Sequence, residues 1–230
     1  MNQDFALLLL ESPWWLPRDN PLRATCLPFF QGLERLYDGF NIYYSTFYDT
    51  AGFETALSED LIHTVEKRQI LYIGAHGNHG SIANGRASTL LGKVSQHGKR
   101  IEGVIISSCL VASRENNLLN VLASGDVRWV FGYTKSVDWL SSLLLELAIV
   151  EALVRAPEDV DHDREALLDT FKTALEKFNP NAPFGADGEP LYDCLCLIQR
   201  AKYKRVPEDL TVDLITTAWP IDNNEDGNPT

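Results

Sequence analysis

Short apolar runs, too brief for helices, alternate along this chain with longer segments whose apolar residues recur at three- and four-residue steps. That alternation restricts the fold more than any other feature, because parallel strands need long crossovers and a helix is the usual one. Residues 5–10, 41–47, 70–73, 104–106, 129–131 and 191–198 read as strands, bounded by turn residues and rich in aliphatic or aromatic side chains. Residues 54–67 place Leu57, Leu61, Ile62 and Val65 on one helical face. Further helices are predicted around 33–37 and 118–122, from Trp139 onward, and over 164–178. The fold class predicted is therefore α/β, a mostly parallel sheet of about six strands flanked by helices. With no repeat and no dividing linker, residues 1–220 are expected to form one domain, and the acidic residues 221–230 a disordered tail.

Composition excludes several functions. Net charge is −12, from 20 Lys+Arg against 32 Asp+Glu, which opposes attraction to nucleic acid or to anionic membrane surfaces. The apolar stretch at residues 140–154 is interrupted by Glu146 and Glu151 and falls short of the ~20 residues of a membrane span. Residues 5–10 lack the basic start and cleavage site of a secretory signal. The four cysteines, Cys26, Cys109, Cys194 and Cys196, include no CxxC pair, so a zinc ribbon is not indicated and a reducing, cytoplasmic setting is expected. Cys194 and Cys196 are expected on one face of a strand, packed as small hydrophobes.

Two strand ends carry reactive side chains. Gly74-Ala75-His76-Gly77-Asn78-His79-Gly80 follows the run at 70–73, and Ser107-Ser108-Cys109 follows the run at 104–106. In open α/β sheets ligands gather where strands end at their carboxyl termini. If the two strands are neighbours, imidazole and thiol emerge on the same edge. A histidine beside a cysteine supplies the base, or the imidazolium that lowers the thiol pKa, and can later protonate a leaving amine. Gly77, lacking a side chain, could present its amide alongside that of Cys109 to a tetrahedral oxyanion. His79 makes HxxH with His76, but no acidic or cysteine ligand stands at helpful spacing for a metal. Residues 85–93 end in Gly92-Lys93 without the Ser or Thr of a phosphate loop. Ser107 and Ser108 lie outside any GxSxG elbow.

The order strand, His76-Gly77, Gly80, strand, Cys109 resembles the caspase-like cysteine peptidases of clan CD, closest in pattern to the bacterial CHAT-domain proteases. The resemblance spans about residues 3–200 in element order, and its motifs lie in residues 70–80 and 103–109. It implies a caspase-hemoglobinase-like fold, His76 as general acid/base, Cys109 as nucleophile, and the amides of Gly77 and Cys109 as oxyanion hole. It also implies that no metal or organic cofactor is needed, that the substrate is a protein or peptide, and that a sensor or regulatory protein is an expected partner in bacterial defence or signalling. The family often has a small residue after the cysteine, whereas Leu110 and Val111 follow here. Two alternatives stand beside the peptidase: a noncatalytic interaction module on the same scaffold, and a small-molecule cysteine amidase or hydrolase.

Asp138 follows the run at 129–131 and could reach the same edge, where a carboxylate would favour Arg or Lys before the scissile bond. It also immediately precedes the helix from Trp139, where it could serve as N-cap. The Pro/Gly-rich residues 179–190 form either a plain surface connection or one border of the cleft.

Overall fold

The computed structural model describes residues 4–13, 25–61, 63–98, 100–113, 118–119, 122 and 126–220. Among them runs a seven-stranded sheet built from β1 (Phe5–Glu11), β2 (Phe40–Thr46), β3 (Arg68–Gly74), β7 (Ile101–Ser107), β8 (Trp129–Tyr133), β9 (Leu195–Gln199) and β10 (Glu208–Asp209). Its order is β10-β9-β8-β7-β3-β1-β2. The five strands from β2 across to β8 are mutually parallel, and β9 and β10 run antiparallel at one edge. The sheet exceeds the expected number by β10, whose two residues are too few for a periodic signal. A second, three-stranded sheet joins β4 (Gly77–Asn78), β5 (Ser81–Ile82) and β6 (Gly85–Arg86).

The pleat divides the core in two. On β1, Phe5, Leu7 and Leu9 face one side and Ala6, Leu8 and Leu10 the other, as strict alternation requires. The first side is covered by α4 (Trp139–Arg155) and α5 (Arg164–Leu175), with α7 (Thr211–Ala218) against α5. The second side packs on α2 (Thr50–Thr55) and α3 (Ala87–His97). Strands buried on both faces explain why β1, β3 and β8 read as continuous apolar runs. The short α1 (Leu27–Glu34) sits by β2 and α4.

Two predicted elements need correction, and a third lies partly outside the described residues. The helix predicted over 54–67 begins earlier, where the Asp49 carboxylate accepts the Gly52 N–H at 2.8 Å, and it loosens into a π turn over Ala56–Asp60. Beyond Leu61 the helix stops: the Gln69 amide donates to the Thr64 and Glu66 carbonyls, and Val65 faces solvent. Ile62 lies outside the described residues. The strand predicted over 191–198 is split: Leu191–Cys194 forms one helical turn, α6, and only then does β9 begin. Consequently Cys194 and Cys196 are both buried but belong to opposite sides of the sheet, rather than sharing one face. Finally, the predicted turn of helix near residue 120 is described only at Leu118, Leu119 and Leu122, of which Leu118 and Leu122 are fully buried; the remainder, like the tail at 221–230, lies outside the described residues.

The long apolar helix α4 is a core helix, as expected, although Leu140 and Leu144 on its outer side are about half exposed. No helix among the described residues is long and apolar enough to cross a membrane.

Candidate functional site

Strand register brings the two reactive ends together. Gly74 at the end of β3 is paired with Ser107 at the end of β7, and the Ala75 N–H donates to the Ser107 carbonyl at 3.1 Å. His76 and Cys109 each stand two residues beyond that matched pair. Both line one cleft of about 290 Å³, together with Glu11, Tyr72, Ser108, Asp138 and Trp139 among others. His76 is exposed and Cys109 half-buried, while the other three cysteines are buried.

After His76 the chain makes a tight hairpin. Gly77 pairs with Ile82 and Asn78 with Ser81, leaving His79 and Gly80 as the turn, at φ 36° and 100°. Two positive φ values suit the right-handed twist of a two-residue hairpin, and Gly meets the second without strain. His79 is therefore a turn residue. Among the described residues no group of three or more His, Cys, Asp or Glu side chains is placed to hold a metal ion.

The hairpin presses Gly77 against the nucleophile candidate. A Cβ on Gly77 would lie 2.2 Å from the Cys109 carbonyl oxygen and 2.8 Å from its nitrogen. Only glycine permits that approach, and it puts the Gly77 and Cys109 backbones in direct contact, as two donors to one oxyanion need to be. On the other side, Cys109 Sγ accepts the Val137 N–H at 3.5 Å. The same sulfur lies 3.7 Å from the Val137 carbonyl, so both backbone groups of Val137 hold it in place. Leu110, the departure from a small residue noted above, adopts φ 60° and donates its N–H to the Lys135 carbonyl at 3.0 Å.

Asp138 does what its position before a helix suggests. Its carboxylate accepts from both the backbone N–H and the hydroxyl of Ser141, each at 3.0 Å, and these bonds hold its pKa below the usual carboxylate value. It caps α4 and lines the cleft at once. The loop at 179–190 borders this wall, because the Ala186 N–H donates to the Ser136 carbonyl at 2.8 Å and Gly185 bridges to Val137.

Sequence reading missed the acids behind the cleft. Glu11, 3% exposed, closes β1 in register with Gly74 and accepts from the Cys26 N–H at 2.9 Å and from the Thr25 hydroxyl. Glu146, 0% exposed, accepts from the Tyr72 hydroxyl at 2.6 Å, and burial pushes its pKa up to about 7 against the pull of Tyr72, Ser107 and Tyr133. The signals were present: a lone acid ending an otherwise apolar strand on the site edge, and an acid mid-run in an apolar helix.

A scan of the sequence against protein-family models gives no match, and a search of curated proteins gives none either. Solved structures do match. Two are X-ray structures of a secreted C11 cysteine protease from Bacteroides thetaiotaomicron, one of them in complex with an irreversible peptide inhibitor and the other called iotapain. They align at 9% and 12% sequence identity with a TM-score of 0.52 each, over 84% and 91% of this chain. This chain covers 65% and 67% of theirs, so about a third of each neighbour has no counterpart here. The likeness is one of fold: the caspase-like arrangement expected from the motifs is the arrangement this chain adopts.

Proposed function

We propose that this protein is a cysteine endopeptidase in which Cys109 attacks the scissile carbonyl and His76 is its acid/base partner. The observation that carries the reading is that His76 and the half-buried Cys109 stand the same two residues past register-matched strand ends and share one cleft. His76 takes the thiol proton, and the thiolate forms a tetrahedral intermediate whose oxyanion meets the amides of Gly77 and Cys109. Its collapse passes the proton from His76 to the leaving amine, and water then hydrolyses the thioester by the reverse sequence. No cofactor enters these steps.

The substrate class proposed is a protein or peptide, with Arg or Lys before the bond and Asp138 as a candidate partner for its charge. Control by a sensor or regulatory protein, in the manner of CHAT-type relatives, and a cytoplasmic setting are part of the same proposal. That a structural neighbour is described with an irreversible peptide inhibitor supports a thiol-directed peptide as the first probe. Cys109→Ala and His76→Ala should each abolish cleavage of a peptide library while leaving the circular dichroism unchanged. Full cleavage by either folded variant would overturn the assignment, and cleavage of small amides but no peptide would move the protein to the amidase class.

A further inference from the structure

At the opposite ends of the strands that lead to His76 and Cys109, β3 and β7 begin beside a second cavity. Its volume is about 370 Å³, more than that of the cleft at Cys109, and the two share no lining residue. The walls are apolar: Leu8, Leu57, Leu61 and Ile101 are each at most 5% exposed, and all belong to the second side of the sheet. Two irregularities border it. The helix after Asp49 widens into the π turn Ala56–Asp60, where the Leu61 N–H reaches the Ala56 carbonyl at 3.0 Å. The β3–β7 register slips just after Gln69, which pairs with Ile101, while Ile70 pairs with Gly103. π turns and β-bulges both gather at functional sites.

Three polar features meet this apolar space. Gln69, 5% exposed, donates its side-chain N–H groups to the Thr64 and Glu66 carbonyls at 3.4 and 2.9 Å. Those partners identify the nitrogen, and no group among the described residues donates to the oxygen. Next, Gln96, His97 and Gly98 bring the carboxyl end of α3, with its partial negative charge, to the cavity. Arg100 is the third: its side chain makes one long bond, to the Val65 carbonyl at 3.5 Å, and joins no ion pair among the described residues. Lys93 and His97, by contrast, are both held by Glu54, at 2.8 and 3.0 Å. One guanidinium suits a carboxylate better than a phosphate.

We infer that this cavity binds a free apolar α-amino acid. Its carboxylate meets Arg100, its ammonium the Gln69 oxygen and the carbonyl end of α3, and its aliphatic side chain the walls of Leu8, Leu57, Leu61 and Ile101. A buried acceptor without a donor and a cation without an anion, set in one apolar cavity, are the complement of a zwitterion; a purely apolar ligand would leave both unanswered. The site binds and does not turn over. Among its described lining residues only His97 and Arg100 are titratable, His97 is held by Glu54, and the Thr64 hydroxyl donates to the Leu61 carbonyl at 2.6 Å. The inference is independent of the chemistry proposed for Cys109. Because the ligand binds the folded chain at the start of β3 and β7, it stabilises the sheet from the end opposite the dyad.

The test titrates the full chain with L-leucine, followed by NMR and thermal melting, against isocaproate, which lacks the ammonium group, and leucinamide, which lacks the carboxylate. Leucine should bind at least about tenfold more tightly than either control and raise the melting temperature as it saturates. Arg100→Gln, at an exposed position, should bring leucine and leucinamide level. Leu61→Trp, which fills the cavity, should abolish binding of all three; if melting shows that it does not fold, Arg100→Gln carries the test alone. No binding of leucine at millimolar concentration, equal binding of leucine and either control, or a preference unchanged in Arg100→Gln overturns the inference. Leucine that still binds folded Leu61→Trp and shields Cys109 from iodoacetamide sits in the other cleft, and overturns it equally.

Discussion

Cys109 differs from its three counterparts in environment rather than in chemistry. Cys26 is sealed beside Glu11, and burial with that negative neighbour pushes its thiol well above the usual value. Burial likewise raises Cys194 to about 11, and Cys196 is 4% exposed. A thiolate is the reactive species, so burial and a raised pKa both silence a cysteine. Iodoacetamide should therefore modify Cys109 alone in the native protein and all four thiols after denaturation, as read by peptide mass mapping; early labelling of Cys26 would contradict the packing around Glu11. Gly77 makes a second residue-scale prediction. A methyl at that position would fall within 2.4 Å of the Ser108 hydroxyl and closer still to the Cys109 carbonyl, so the backbone must move. Gly77→Ala should lower turnover by roughly 10²–10³, the range for loss of one oxyanion donor, while Cys109 remains alkylable. Retained turnover would remove Gly77 from the oxyanion hole.

At the scale of elements, the strands were legible because each satisfies one rule throughout. Burial on both faces makes residues 5–10 of β1 and 70–73 of β3 continuous apolar runs. The shared cleft followed from the same rule, since residues two places past neighbouring strand ends in register lie on one edge of the sheet. Local breaks that leave the apolar pattern intact were not legible. Past Leu61 the chain leaves the helix and the Gln69 amide takes up the Thr64 and Glu66 carbonyls, and β9 starts late because Leu191–Cys194 turns helical after Pro190. Glu11 escaped notice because a charged strand end is ordinarily solvated; only the approach of Thr25 and Cys26 buries it. Gly103 shows how one pair fixes two strands. It stands opposite Trp129 in the β7–β8 register, and a Cβ there would lie 2.1 Å from the indole. The indole is pinned in turn, donating to the buried Asp161 and meeting the Phe171 ring edge-on at 5.4 Å. Gly103→Ala should thus destabilise by roughly 1–3 kcal/mol, the usual effect of overpacking, seen as a lower urea midpoint. A midpoint equal to wild type would mean that the indole can move aside.

For the whole molecule, the buried acid on α4 ties stability to pH in a direction opposite to that of surface carboxylates. An ordinary paired carboxylate has a depressed pKa and stabilises the fold as pH rises. Glu146 is fully buried, and desolvation raises its carboxyl from 4.5 to about 7. Below the lower value it is protonated in both folded and unfolded chains, and no penalty arises. Between the two values the unfolded chain releases the proton while the folded chain retains it, so stability falls as pH rises, and above about 7 the loss is complete. The size is on the order of 3 kcal/mol at most. Glu146→Gln keeps an acceptor for the Tyr72 hydroxyl and cannot ionise, so its stability relative to wild type should climb from pH 4.5 to 7 and then level off. Urea denaturation of both proteins across that range reads the difference directly, because other titrating groups are common to the pair and cancel. A flat difference between the two proteins from pH 4.5 to 7 would mean that Glu146 is not held protonated by its burial.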